Sequence, residues 1–108
     1  MIRVTYHRAY SRVTVEGHAC SGEVGHDLVC ASVTALTYTL ADRVVHLAES
    51  KQAREPVTEL EEGKAEISCN PHHRFKAAVT LIFDTICAGY ELLAQNFPDN
   101  ISFEILHG

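Results

Sequence analysis

The hydrophobic pattern of this chain changes from strand-like to helical at Asp27, and that switch limits the fold more than any other feature. Ahead of it, Ile2, Val4 and Tyr6 alternate with Arg3, Thr5 and His7, and Val13 and Val15 alternate with Arg12, Thr14 and Glu16. Alternation places one side of a strand in a core and the other in water. Ala9-Tyr10-Ser11 between the two runs reads as the turn of a hairpin. Beyond Asp27, Val29, Val33, Leu36, Leu40, Val44 and Leu47 step by three and four, the mark of one apolar helix face.

Asp27 itself is a good N-cap, because its carboxylate can accept the unpaired backbone N–H groups of a first helical turn. Leu28, Ala31, Ala35, Tyr38 and Val45 make a second apolar stripe on the same helix. A helix apolar on two sides touches more than one layer, or a second subunit. The polar run ESKQAREP ends it. Val57 and Leu60 begin a short strand, Glu61-Glu62-Gly63 a turn, and residues 64–69 a strand with Ala65, Ile67 and Cys69 on one face.

Asn70-Pro71 then has the form of a helix start, a capping residue followed by proline. Phe75, Val79, Ile82, Ile86, Gly89 or Tyr90, and Leu93 form its inward stripe. Asn96-Phe97-Pro98 closes the helix, and Ile101, Phe103 and Ile105 alternate again. The order β-β-α-β-β-α-β predicts a single α+β domain over residues 1–108, with an antiparallel-rich sheet packed against two long helices.

A chain of 108 residues supports one core rather than two. Its net charge of −5 argues against a domain that grips nucleic acid through phosphates. No apolar run approaches the roughly 20 residues of a membrane helix, so no membrane is expected. The N-terminus, MIRVTYHR, lacks the apolar core of a secretory signal. A cytoplasmic protein is expected, with its four cysteines kept as thiols.

The chemistry concentrates in residues 17–30, GHACSGEVGHDLVC. His18 ends the second strand-like run, and Cys30 lies just inside the helix, at about its third position if Asp27 is the cap. Helical spacing sets Cys30 over Thr34, Thr37 and Ala41, a small and partly polar stripe at the margin of the core. A helix N-terminus and a nearby imidazole both favour a thiolate. In that reading His18 is the base, and Asp27 orients it or caps the helix. Cys30 also suits a plain core position. A metal is a further alternative: His18, Cys20, His26 and Cys30 are all of zinc-ligand type, although their spacing matches no common finger or ribbon. Cys69 with His72 and His73 is a weaker cluster of the same kind.

Gly17-His18-Ala19, then Gly25-x-Asp27-x-Val29-Cys30-Ala31 and Val33-Thr34-Ala35-Leu36, resembles the Prp family of ribosomal-processing cysteine proteases. Chain length, the β-β-α opening and the late Asn70-Pro71 helix fit as well. Thr34 stands where serine is expected, and Cys20 and His26 are extra ligand-like side chains. The resemblance implies a small cytosolic bacterial homodimer that removes a short N-terminal extension from the precursor of a large-subunit ribosomal protein. It implies Cys30 as nucleophile and His18 as general base, with no cofactor or metal. It leaves the role of Asp27 open. The loop over residues 19–26, with Gly22 and Gly25, would close over the peptide substrate. The acidic charge suits the basic N-termini of ribosomal proteins. The competing readings are a small metal-binding module, which predicts stoichiometric metal, and a non-catalytic ribosome-assembly factor, which predicts binding without cleavage.

Overall fold

The computed structural model describes the backbone of residues 1–17 and 24–108, and the side chains of residues 1–17 and 28–108. Its elements are β1 (Ile2–His7), β2 (Arg12–Glu16), α1 (Val24–Glu49), β3 (Ala53–Glu61), β4 (Lys64–Pro71), α2 (Lys76–Asn96) and β5 (Ile101–Leu106). The strands form one sheet in the order β3-β4-β2-β1-β5. Among the described strands only the β1–β5 pair is parallel; β1–β2, β2–β4 and β3–β4 are antiparallel. This is the α+β architecture, antiparallel-rich with two long helices, that the sequence predicts.

Alternation decides which sheet face is covered. Val4 pairs with Val15 and Tyr6 with Val13, and Val13 pairs in turn with Ile67. All of these side chains are buried, together with Ile2, Ala65 and Cys69. Both helices lie on this face. The α1 residues Val29, Val33, Leu40, Val44 and Leu47 are buried as predicted. The opposite face carries Arg3, Thr5, Arg12, Thr14, Glu66 and Ser68, none of them buried, as an antiparallel sheet permits.

The centre of α2 lies one residue round from the predicted stripe. Val79, Phe83, Cys87 and Tyr90 are buried, while Ile82, Ile86 and Leu93 flank them half-buried. The helix packs against both the sheet and the neighbouring α1, so it needs two adjacent apolar stripes. Phe83 stacks on Tyr6 at 6.1 Å between ring centroids. On the other side, Gly89 admits Leu36: a Cβ at Gly89 would come within 2.8 Å of Leu36 Cδ2.

Three expectations are corrected. First, α1 begins at Val24, so Asp27 lies inside the first turn and is not the N-cap, and Gly25 is helical rather than part of a loop. Glycine's low helix propensity and aspartate's capping preference disguised the true start. Second, Asn70 and Pro71 end β4 instead of starting a helix, pairing with Arg54 and Ala53 of β3. The backbone explains why proline is tolerated there. The Cys69 N–H donates to Ser11 O, and Pro71, two residues on, faces the same edge after β2 has run out. A 3-10 turn over His73–Phe75 then leads into α2. Third, both helices are long and apolar enough by length and composition to cross a membrane. Each carries one apolar side that is buried in this fold, and core helices pass the same test.

Candidate active site

Cys30 is the seventh residue of α1, counting Val24 as the first. That is one turn deeper than the cap at Asp27 implied. The field of a helix end fades within the first turn, so α1 offers Cys30 less stabilisation of negative charge than the sequence suggested. The position of the thiol is nonetheless distinctive. It is half-buried and opens on a cleft of about 390 Å³.

Two layers make the walls. From α1 come Cys30, Val33, Thr34, Thr37 and Tyr38; the sheet supplies Ile2, Val15, Leu60 and Ala65. The predicted stripe Cys30-Thr34-Thr37 therefore does line one surface. The third wall is the turn joining β3 to β4, with Glu61, Glu62, Gly63 and Lys64. The sequence marks this segment as a turn but carries no sign that it borders the thiol. Its placement depends on β4 pairing with β2, in a register that sets Lys64 beside Glu16.

Gly17 closes the cleft where β2 ends. Its φ of +97° belongs to the region that favours glycine, and a Cβ there would fall on the carbonyl oxygen of Met1. Its N–H donates to Gly63 O at 2.9 Å. The end of β2 is thus pinned between the N-terminal segment and the β3–β4 turn, and Gly17, the residue before His18, lines the same cleft as Cys30. His18, Cys20 and Gly22 lie outside the described residues, as do the side chains of His26 and Asp27. Of the predicted site residues, Cys30 alone is therefore placed with its side chain; of the alternative metal set, the same holds.

The other described cysteines have a different character. Cys69 and Cys87 are 3% and 2% exposed. Burial pushes the Cys69 thiol up to about 11. Burial, with the nearby Asp84 carboxylate, pushes Cys87 up to about 12. A thiol held protonated is a poor nucleophile. Cys69 faces the core from β4, so it is turned away from any ligand role with His72 and His73.

A second polar constellation lies across the sheet. Asp84 accepts from Tyr6 Oη at 2.8 Å and from Arg8 Nε and Nη2, both at 3.1 Å. The Arg8 hydrogen bond holds the Asp84 carboxyl below its ordinary value, with smaller help from Tyr6. Burial, then Asp84, raises the Tyr6 phenol. A fork of this kind fixes β1 to α2, with both Asp84 carboxylate oxygens engaged.

The family model described as cysteine protease Prp matches residues 1–102. A ribosomal processing cysteine protease Prp of Bacillus subtilis is 29% identical over 111 residues, covering 94% of each chain. A crystal structure from Streptococcus mutans superposes with a TM-score of 0.72 at 26% identity, over 100% of this chain and 96% of that one. An essential ribosomal processing protease Prp from Staphylococcus aureus, solved with a covalently linked product peptide, shares the fold with a TM-score of 0.71 at 22% identity over 97% of both chains.

Proposed function

Because this chain belongs to the cysteine protease Prp family, we propose that it removes the N-terminal extension of a large-subunit ribosomal protein precursor, with Cys30 as nucleophile and His18 as general base. The observation that carries the reading is the placement of Cys30: its thiol opens on a cleft, whereas Cys69 and Cys87 are shut in the core. The name of the Bacillus subtilis relative, a ribosomal processing protease, supports the substrate class. Gly17 on the rim supports His18 as the base, since it ties the preceding backbone to the cleft.

In this reaction His18 takes the Cys30 proton, and the thiolate attacks the scissile carbonyl carbon. The tetrahedral intermediate collapses as the imidazolium returns the proton to the leaving amine, which departs as the new N-terminus of the ribosomal protein. The acyl group stays on sulfur as a thioester. Water, deprotonated by His18, then releases the extension as a carboxylate and restores the thiol. Asp27, in the first turn of α1, either steadies His18 or complements the helix end. The reaction belongs in the cytoplasm with its precursor.

The reading includes a homodimer. Leu28, Tyr38 and Val45 are 58%, 58% and 43% exposed, and with exposed Ala31 and Ala35 they form one stripe along α1. A second copy of the same stripe would bury it.

Incubation with the N-terminally extended ribosomal precursor, read by mass spectrometry, tests the function. One cleavage event is expected, lost in Cys30→Ala and in His18→Ala. An intact precursor after prolonged incubation with wild-type protein would overturn it.

A further inference from the structure

One of the strands that line the cleft, β3, is also an edge of the sheet. β3 pairs with β4 on one side, and no other described strand pairs with its second side. The strand is irregular at its start: Glu55 has φ +54°, and the register with β4 shifts between Arg54 and Val57. From Val57 to Glu61 the pairing is regular. Five residues of unpaired edge, about 17 Å long, are thus open to a partner strand.

Val57 is half-buried, and residues 58–61 are exposed on both faces. On the helix side α1 buries Ala53, yet Leu60 remains 42% exposed and lines the Cys30 cleft. Thr58 is exposed on that same side. On the opposite face the register puts Glu59 beside Glu66, and at the end of the strand it puts Glu61 beside Lys64, where both reach the cleft wall. Arg12 Nη2 holds Glu66 at 3.0 Å. Glu59 has no ion-pair partner among the described residues and sits directly across from a like charge, an unfavourable pairing that a cation would relieve. Acidic residues on an edge also deter chance strand pairing. That role accounts for the carboxylates, but not for the exposed Leu60, which lines the same cleft as the thiol.

We propose that the peptide substrate docks as an added strand along the free edge of β3 at residues 57–61. Alternate apolar side chains then point into the Cys30 cleft, and the intervening basic ones lie over Glu59 and, at the cleft rim, beside Glu61. Main-chain hydrogen bonds supply affinity, and the two faces supply specificity. The substrate class is an extended, basic, alternating segment. The proposal rests on the protease reading, since it uses the same cleft, but it makes separate demands.

The test is a backbone scan. A fluorescein-labelled peptide covering the extension and first mature residues of the host's ribosomal precursor is N-methylated at one amide at a time. Binding to Cys30→Ala is read by fluorescence anisotropy, and cleavage by wild type is followed in parallel. A strand on an edge donates from every second residue, so methylation should weaken binding with a period of two. Each blocked hydrogen bond should cost roughly three- to tenfold. Glu59→Gln with Glu61→Gln should weaken the parent peptide several-fold, yet leave a lysine-to-norleucine peptide nearly unchanged.

A flat or aperiodic scan together with normal cleavage overturns the edge proposal and leaves the protease reading standing. Periodic binding without cleavage upholds the edge and overturns the protease reading. Absence of both binding and cleavage overturns both. Circular dichroism of the glutamate variant guards against misfolding, and the scan itself needs no change in β3.

Discussion

Thr37 and Tyr90 share a buried 2.8 Å hydrogen bond between the two helices, and Thr37 is also part of the cleft wall beside Cys30. The direction of this bond follows from a second one. Thr37 Oγ1 donates to Val33 O at 2.7 Å. A hydroxyl has one proton, so Tyr90 must donate to Thr37. The cleft is thus tied to α2 through a polar contact in an apolar layer.

That direction makes the two partners unequal. Thr37→Val removes the only acceptor among the described residues for a Tyr90 hydroxyl that is fully buried. Stranding a buried donor costs about 1–3 kcal/mol. Tyr90→Phe leaves Thr37 bonded to Val33 O and should cost about 1 kcal/mol. Urea unfolding of the two variants checks the order. Equal losses, or a larger loss for Tyr90→Phe, would contradict the assigned proton.

Cysteine substitutions should separate chemistry from packing. Cys30→Ala should abolish cleavage with little loss of stability, because its side chain is only half-buried. Cys69→Ala and Cys87→Ala should keep cleavage but lower the unfolding midpoint, since both fill the core. Iodoacetamide at about pH 8 should label Cys30 in the native protein and spare Cys69 and Cys87, whose thiols stay protonated. Peptide mapping reads all three sites; prompt labelling of Cys87 would refute the assignment.

The same two thiols set an alkaline limit. Their ordinary value of 9.0 rises in the fold to about 11 for Cys69 and about 12 for Cys87. A raised value means the folded state holds its proton longer than the unfolded chain does. The stabilisation is therefore complete below about pH 9 and is lost as pH rises through the folded values. Burial raises Tyr90 in the same direction. Urea midpoints should be level near neutrality and fall steadily above about pH 9. The fall should be shallower in Cys87→Ala; identical slopes in the two proteins would rule out its contribution.

Much of this architecture was readable before any coordinates. The helix face from Val29 to Leu47 and both hairpins follow from periodicity alone, because each element buries one regular side. Boundaries were less legible. Gly25 and Asp27 carry the local chemistry of a helix start, yet the helix extends to Val24. Asn70-Pro71 carries the same chemistry, yet pairing with β3 claims it for a strand. In both places a local preference worth about 1 kcal/mol gave way to neighbouring structure. The cleft followed the same pattern. Cys30, Thr34 and Thr37 share a stripe that helical spacing reveals, whereas Leu60 and Glu62 reach it only through strand order, which no local pattern encodes.

Gly17 offers a test of how firmly the cleft is held. Gly17→Ala would need a left-handed backbone from alanine and would drive its methyl group into Met1 O. The conformational part alone costs about 1–2 kcal/mol. Stability should fall by at least that much, and cleavage should drop with it, because the rim before His18 must shift. Wild-type stability in a calorimetric scan would show that the N-terminal segment yields freely.

Charge placed on the exposed stripe of α1 should report on assembly. Ala35→Glu sets a carboxylate among Leu28, Ala31 and Tyr38 on a surface that is already solvent-facing in one copy. The monomer fold should tolerate it, while burial in an interface would leave the charge unpaired. Light scattering should give a dimer mass for the wild type and a monomer mass for the variant. A monomeric wild type at micromolar concentration would remove the homodimer from the reading.

The closeness of Met1 to Gly17 also bears on how the protein should be handled. Ile2 lines the cleft, and the Met1 carbonyl packs on Gly17 at its rim. Any affinity tag or fusion partner joined ahead of Met1 would emerge at the rim of the cleft that holds Cys30. β5 runs parallel to β1, with Ile2 beside Ile101 and His7 beside Leu106. The chain therefore leaves at the far end of the sheet, about 20 Å away. Labels, surface tethers and purification handles belong after Gly108, and an assay run on N-terminally tagged material would understate the enzyme.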